Sequence, residues 1–290
     1  MEIRVLNYFI TVAREESITK AAEVLHITQP TLSRQLAQLE EETGVKLFNR
    51  GTRKITLTDE GNLLRRRAEE ILQLVDKTQN EITQQDEQVE GRITIGCGEL
   101  AAVQYMAEQI KSFQKRYPMV TYDIVTATAD YVKDQMDKGL IDIGLLLEPV
   151  DMEKYEFVRM PVKERWVVAM RADDPFSEKE GITAKDLVGV PVILPRRLNV
   201  QSELASWFGP HFNELDVRFV SNLSSNAAVM VDKGMGYKIC VEGFLPFWDS
   251  KKLVYRPLYP ELTATSVMAW KRNQPFSKAV MKFIEHIQCL

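Results

Sequence analysis

In the stretch HITQPTLSRQLAQLEEETG, residues 26–44, Leu32, Leu36 and Leu39 recur at helical spacing, while Pro30, Thr31, Arg34 and Gln38 gather on the opposite side. That side holds neither the dense charge of a solvating surface nor the apolar stripe of a buried one. Its hydroxyl, amide and guanidinium groups suit hydrogen bonding to base edges and phosphates, and an arginine can take guanine in bidentate fashion. A little further on, GVKLFNRGTRK carries Lys46, Arg50, Arg53 and Lys54 without a single acid. The whole chain has a net charge of −4, so the signature is a local basic patch rather than a basic protein.

Catalytic sets are not apparent. His26, His211 and His286 show no metal-ligand spacing, and there is no G-x-S-x-G elbow. ITIGCGELA at 93–101 is G-x-G-x-x-A between a strand and a helix, which imitates a dinucleotide fingerprint. The second strand should then end near an acid for the ribose, yet VTYDIVTATAD puts Asp123 inside it and Asp130 beyond it. Cys97, Cys240 and Cys289 are too few and too scattered for a disulfide framework, and Cys97 and Cys240 read as inert core thiols. No cofactor and no metal is implied.

The elements that must position these residues follow from length and pattern. A chain of 290 residues, 45% hydrophobic and 27% charged, suits two globular domains. No stretch approaches a membrane span, and the start lacks a signal-peptide cleavage site, so a cytoplasmic setting is expected. Residues 1–58 read as short helices and a small hairpin. Leu6, Phe9, Ile10 and Ala13 make a stripe, Thr19 is a candidate cap before Ala21, Ala22 and Leu25, and Thr28 is a second, with Pro30 in the first turn. Two short helices across a tight turn form a helix-turn-helix pattern. The hairpin follows, with Ile55 and Leu57 alternating after a turn at 49–52.

From about Thr58 to Val89, the residues Leu64, Ala68, Ile71, Val75, Thr78, Ile82, Gln85 and Val89 recur at alternating spacings of four and three. That is a heptad-like seam on one long helix, and it predicts a homodimer. Beyond Gly91, short apolar runs (RITIGC, VTYDIVTA, IDIGLLL, RWVVAM, VPVIL, VRFVS, YKICV and TSVMAW) alternate with helical stretches at 102–116, 129–138, 200–208 and 223–233. Such alternation predicts an α/β domain with mostly parallel sheet, built as two small sheets around a cleft.

In this order the parts resemble a LysR-type transcriptional regulator over the whole chain. FITVAREESITKAAEVLHITQPTLSRQLAQLEEETGVKLFNRGTRKITLTDEG carries the N-terminal resemblance. RITIGCGELAAVQYMAEQIKSFQKRYPMV, KGLIDIGLL and VDKGMGYKIC carry the rest. The resemblance implies an all-α winged helix-turn-helix over 1–58 and a dimerising linker helix over 59–90. It also implies an α/β effector domain over 91–290, of two Rossmann-like, periplasmic-binding-protein-like subdomains (91–161 with 267–290, and 162–266). The implied partners are promoter DNA, a small-molecule effector and further copies of the chain, usually four, with RNA polymerase as another candidate. The alternative class is a cytoplasmic α/β enzyme or nucleotide-binding module fused to a DNA anchor.

The same resemblance places Gln29, Pro30, Thr31, Ser33, Arg34 and Gln38 on the helix that meets the major groove, and Arg50, Arg53 and Lys54 on the wing. For the effector it implies Gly98, Glu99, Leu100, Thr126, Ala127, Arg196, Arg197, Asn199, Ser221 and Asn222, all at strand ends. Lys238 departs from the family's pattern, which keeps a small or apolar residue there. A lysine in a buried strand needs a partner, and Glu99 or an anionic effector could supply it. An anionic effector, met by Arg196, Arg197 or Lys238 and by the helix N-terminus after Gly98, is the expectation.

Overall fold

The computed structural model describes residues 1–50, 54–83, 89–243 and 248–289, apart from the side chains of Arg50 and of 80–83. The chain forms two compact units, Met1–Gln85 and Asp86–Leu290. No helix among the described residues is long and apolar enough to cross a membrane.

The first unit runs α1 (Ile3–Glu15), α2 (Ile18–Val24), α3 (Gln29–Thr43), β1 (Phe48–Arg50), β2 (Ile55–Leu57) and α4 (Asp59–Thr83). Val5, Phe9 and Val12 of α1 pack with Ala21 and Ala22 of α2 and with Leu32, Leu36 and Leu39 of α3. The cap of α2 is Ser17 and not the expected Thr19: Ser17 is extended, and its hydroxyl accepts from Lys20 N at 3.4 Å. Thr28 does sit at the N-cap of α3, but its hydroxyl pairs with that of Thr31 at 2.8 Å instead of capping. His26 turns the chain between the two helices with φ 53°, a left-handed conformation uncommon outside glycine.

Glu40, only 6% exposed, fastens the end of α3 to the hairpin. Its carboxylate accepts from Leu47 N at 2.8 Å, Phe48 N at 3.3 Å and Lys46 Nζ at 3.0 Å. Burial opposes its ionisation, yet these donors prevail and hold the carboxyl below its usual value. β1 and β2 pair antiparallel, Phe48 against Leu57.

On α4, Leu64 packs against the helical core and Ala68 is fully buried, whereas Ile71 and Leu74 are 37% and 44% exposed. The expected seam therefore changes role along its length. The Ile82 side chain and Gln85 lie outside the described residues. Val89 is a correction: it is not helical but buried in the core of the second unit, two residues before a strand begins.

In the second unit the order is β3 (Gly91–Cys97), α5 (Ala102–Arg116), β4 (Val120–Thr126), α6 (Ala129–Asp137), β5 (Ile143–Leu147) and β6 (Tyr155–Arg171). It continues β7 (Pro191–Pro195), α7 (Leu198–Phe208), β8 (Asp216–Ser221), α8 (Ser224–Asp232), β9 (Tyr237–Val241), β10 (Leu253–Pro257), β11 (Thr263–Lys271) and α9 (Lys278–Gln288). The sheet path is β4-β3-β5-β11-β6-β9-β7-β8, with β10 added on β6. β3 is parallel to β4 and β5, and β7 is parallel to β8 and β9.

The sequence predicts a strand at RWVVAM, but β6 is 17 residues long and serves both parallel sets. β11 accompanies it, pairing Val267–Lys271 with Arg159–Tyr155 and Thr263–Thr265 with Arg165–Lys163, with a register shift between Thr265 and Val267. Ser266 sits at that shift and Glu164 pairs with Ala264 just before it, both side chains fully buried. Glu164 accepts from Ala101 N at 2.8 Å, Ala102 N at 3.0 Å and the Ser266 hydroxyl at 3.3 Å. A buried carboxylate thus ties the start of α5 to the crossing strands. Close approach also requires Gly243, where an added Cβ would lie 2.1 Å from the Leu100 carbonyl carbon.

Candidate functional site

The polar face of α3 is outward, as its spacing requires. Gln29, Pro30, Arg34 and Gln38 are exposed, while Thr31 and Ser33 are half-buried. Gln29 Nε2 donates to Ser33 Oγ at 2.9 Å, and Gln38 Nε2 donates to Glu42 at 3.1 Å. Arg34 has no hydrogen-bond or ion-pair partner among the described residues. The first two turns of α3 contain no acid, so a free guanidinium stands where the helix dipole already favours anions. This arrangement can bind a polyanion and read hydrogen-bonding edges.

The wing is less open than expected. Lys54 is paired with Glu16, at the end of α1, and the neighbouring Ile55 N donates to Glu16 O at 3.1 Å. Its charge is therefore shared before any phosphate arrives. Arg53 and the Arg50 side chain lie outside the described residues.

A cavity of about 640 Å³, counted to its open mouth, lies between the carboxyl ends of the two parallel strand sets. Ligands commonly occupy such a place in α/β sheets. Gly98, Glu99, Leu100 and Ala127 line it from the β3–β4 side, and Arg196, Arg197, Ser221, Asn222 and Lys238 line it from the β7–β9 side. Thr126 and Asn199 are not in its wall; both are exposed, and their successors Ala127 and Val200 take the inward positions. The sequence reading missed Thr128, Trp166, Leu223 and Cys240, which also line the cavity. Thr128 carried a readable signal, being the cap whose hydroxyl accepts from Tyr131 N at 3.5 Å. Trp166 carried none, because only the course of β6 brings it there.

Polar groups around the cavity are engaged in an unexpected way. Glu99 reaches across to the start of α8, accepting from Ser224 N at 2.5 Å and Ser225 N at 3.2 Å. Arg197 reaches the other way, donating to Leu147 O at 3.3 Å and Pro149 O at 3.1 Å, with Nε 3.5 Å from Asp130. These two side chains latch the halves of the unit together. The start of α5, expected to attract an effector anion, already holds Glu164. The same occupation removes the N–H groups that a dinucleotide phosphate would need, so the enzyme alternative loses its best motif.

Lys238 is 1% exposed, in the middle of the sheet between Ala169 and Ile193. No hydrogen bond or ion pair to its ammonium exists among the described residues. Burial drives its pKa from the usual 10.5 to about 8, against weaker opposing contributions from Cys240 and Glu99. Burial likewise pushes the Cys240 thiol up to about 12, which leaves little thiolate for redox chemistry.

A fall of that size in the Lys238 pKa corresponds to about 3 kcal/mol. Its sign is unfavourable to the fold wherever the lysine is charged. Below about pH 8 the folded chain bears the whole cost. Between about 8 and 10.5 the folded chain has released the proton and the unfolded chain has not, so stability climbs with pH. Lys238→Met is expected to raise the unfolding midpoint at neutral pH and to flatten that climb. Calorimetry across the alkaline range checks both; equal slopes for the two proteins would count against a buried, charged lysine.

Comparisons with known proteins agree with this arrangement. Residues 3–62 match the family model of the bacterial regulatory helix-turn-helix protein, lysR family, and residues 86–289 match that of the LysR substrate binding domain. The chain is 28% identical over 295 residues to the Hca operon transcriptional activator HcaR of Escherichia coli (strain K12), covering 99% of this chain and 97% of that protein. It is 29% identical over 293 residues to the HTH-type transcriptional regulator BsdA of Bacillus subtilis (strain 168), covering 98% and 99%. Among solved structures, full-length CbnR complexed with its target DNA matches with a TM-score of 0.78 at 21% identity, over 100% of this chain and 99% of that one.

Proposed function

The chain belongs to the LysR family of DNA-binding transcriptional regulators, and on that premise we propose how its parts divide the work. Residues 1–58 read a promoter through α3, 59–90 join two copies, and 91–290 sense a small molecule between one lobe of 91–161 with 267–290 and another of 162–266. The setting is the cytoplasm, and pairs of dimers make the working tetramer. The observation that supports DNA reading best is Arg34, without a partner among the described residues, on the acid-free start of α3. Glu99 and Arg197, which bridge the cavity, support sensing, because a ligand entering there must disturb or reinforce bonds that set the lobes' spacing.

Footprinting of the full chain on genomic fragments that it selects tests this reading. Two recognition helices related by a two-fold axis call for an interrupted inverted repeat. A ligand that raises the unfolding midpoint should also change the length of the protected segment. Protection without a repeat, or protection indifferent to every stabilising ligand, would overturn the proposal.

A further inference from the structure

We propose that the effector is a small monoanion, a single carboxylate head on an uncharged body, and that Lys238 receives the head. The inference rests on the cavity being the effector site. Four charged side chains line it: Glu99, Arg196, Arg197 and Lys238. Glu99 is spent on the start of α8, and Arg197 on carbonyls across the cavity and on Asp130. Arg196 is exposed to solvent. Of the four, Lys238 alone is a buried charge without a partner among the described residues, and burying such a charge is costly unless something pairs with it. The starts of α5 and α8 already hold carboxylates of the chain itself.

A second observation points the same way. The indole N–H of Trp166, in the wall of this cavity, is buried without an acceptor among the described residues. An unmet donor in the wall suits a ligand head rich in acceptors. Leu100, Leu145, Leu147 and Val200 make much of the remaining wall apolar, which suits an uncharged body. A second negative charge would face Glu99 with no free buried cation to meet it.

Anion binding favours the charged lysine, so affinity should fall as pH rises through about 8, and binding above that pH should take up a proton. Cys240 and Glu99 both act to keep Lys238 charged, and neither reverses this direction.

Thermal shift and isothermal titration of the full chain with a panel of short-chain and aromatic monocarboxylates test the proposal. The comparison ligands are the matched primary amides and dicarboxylates. At least one monocarboxylate is expected to bind more tightly than its amide and its dicarboxylate counterpart. Lys238→Met should weaken it roughly ten- to hundred-fold, the loss expected for a hydrogen bond to a charged group. Should that variant fold poorly, the pH dependence of the unmodified protein decides: affinity falling about tenfold per unit above the lysine's pKa supports the proposal. Amides binding as well as acids, no monocarboxylate binding at millimolar concentration, or affinity flat through that pH range would overturn it. Ala127→Phe, which fills the cavity, separates the two levels of the argument. A neutral ligand that this variant excludes leaves the cavity as the effector site and refutes only the anion. A carboxylate unaffected by it refutes the site.

Discussion

Ile71→Glu combined with Leu74→Glu is expected to convert the protein to monomers at micromolar concentration and to weaken operator binding by about a hundred- to ten-thousand-fold. Both side chains are exposed on the second half of α4, while on the first half Leu64 packs against the helical core of its own unit and Ala68 is fully buried. An amphipathic helix that continues past its own core with isoleucine and leucine uncovered needs a partner surface. Carboxylates buried in such a seam without a cation or a hydrogen-bond donor cost several kcal/mol. The unpaired halves would then lose the effective concentration that lets a second recognition helix bind once the first is seated. Sedimentation and gel-shift titration check the two parts separately. A double variant that still sediments as the unmodified protein does would place the dimer contact elsewhere.

Arg34→Ala is expected to remove sequence-specific binding while leaving the fold unchanged. The guanidinium is exposed and has no partner among the described residues, so its loss breaks no described contact inside the first unit. A bidentate contact to a base contributes about 1–3 kcal/mol, and a dimer loses it twice. The expected deficit is thus about five- to 150-fold for one half-site, and about thirtyfold at the least if both half-sites depend on it. Binding to unrelated DNA should fall far less, because phosphate contacts carry it. Lys54→Ala offers a contrast: the lysine already pairs with Glu16, so its removal should alter the salt dependence only slightly. Undiminished footprints with Arg34→Ala would sink the assignment of α3 as the reading helix.

Much of this was legible in one dimension. The leucines of α3 and their polar opposite face follow from a 3.6-residue period, and eight of the nine described strands of the second unit coincide with short apolar runs, β10 being the one missed. Both are local signals, because which side of an element faces the core depends on residues a few places apart. The family and its division into a DNA-reading part and a sensing part came from the same kind of short-range pattern, confirmed over residues 3–62 and 86–289.

Partner choice among polar groups was not local and could not be read that way. Glu99 finds Ser224, Glu164 finds Ala101, and Arg197 finds Leu147, each across a large gap in the chain. The sequence offered Arg196, Arg197, Lys238 and a helix start as hosts for an anion; folding engaged two of them and left Lys238 buried without a partner among the described residues. Val89 shows the same limit at the level of an element, since its spacing continues the α4 seam while its burial belongs to the other unit's core. Periodicity reports the face a residue presents. Only the tertiary fold settles which group meets it there, because a hydrogen bond or an ion pair depends on a few ångströms in space rather than on position along the chain.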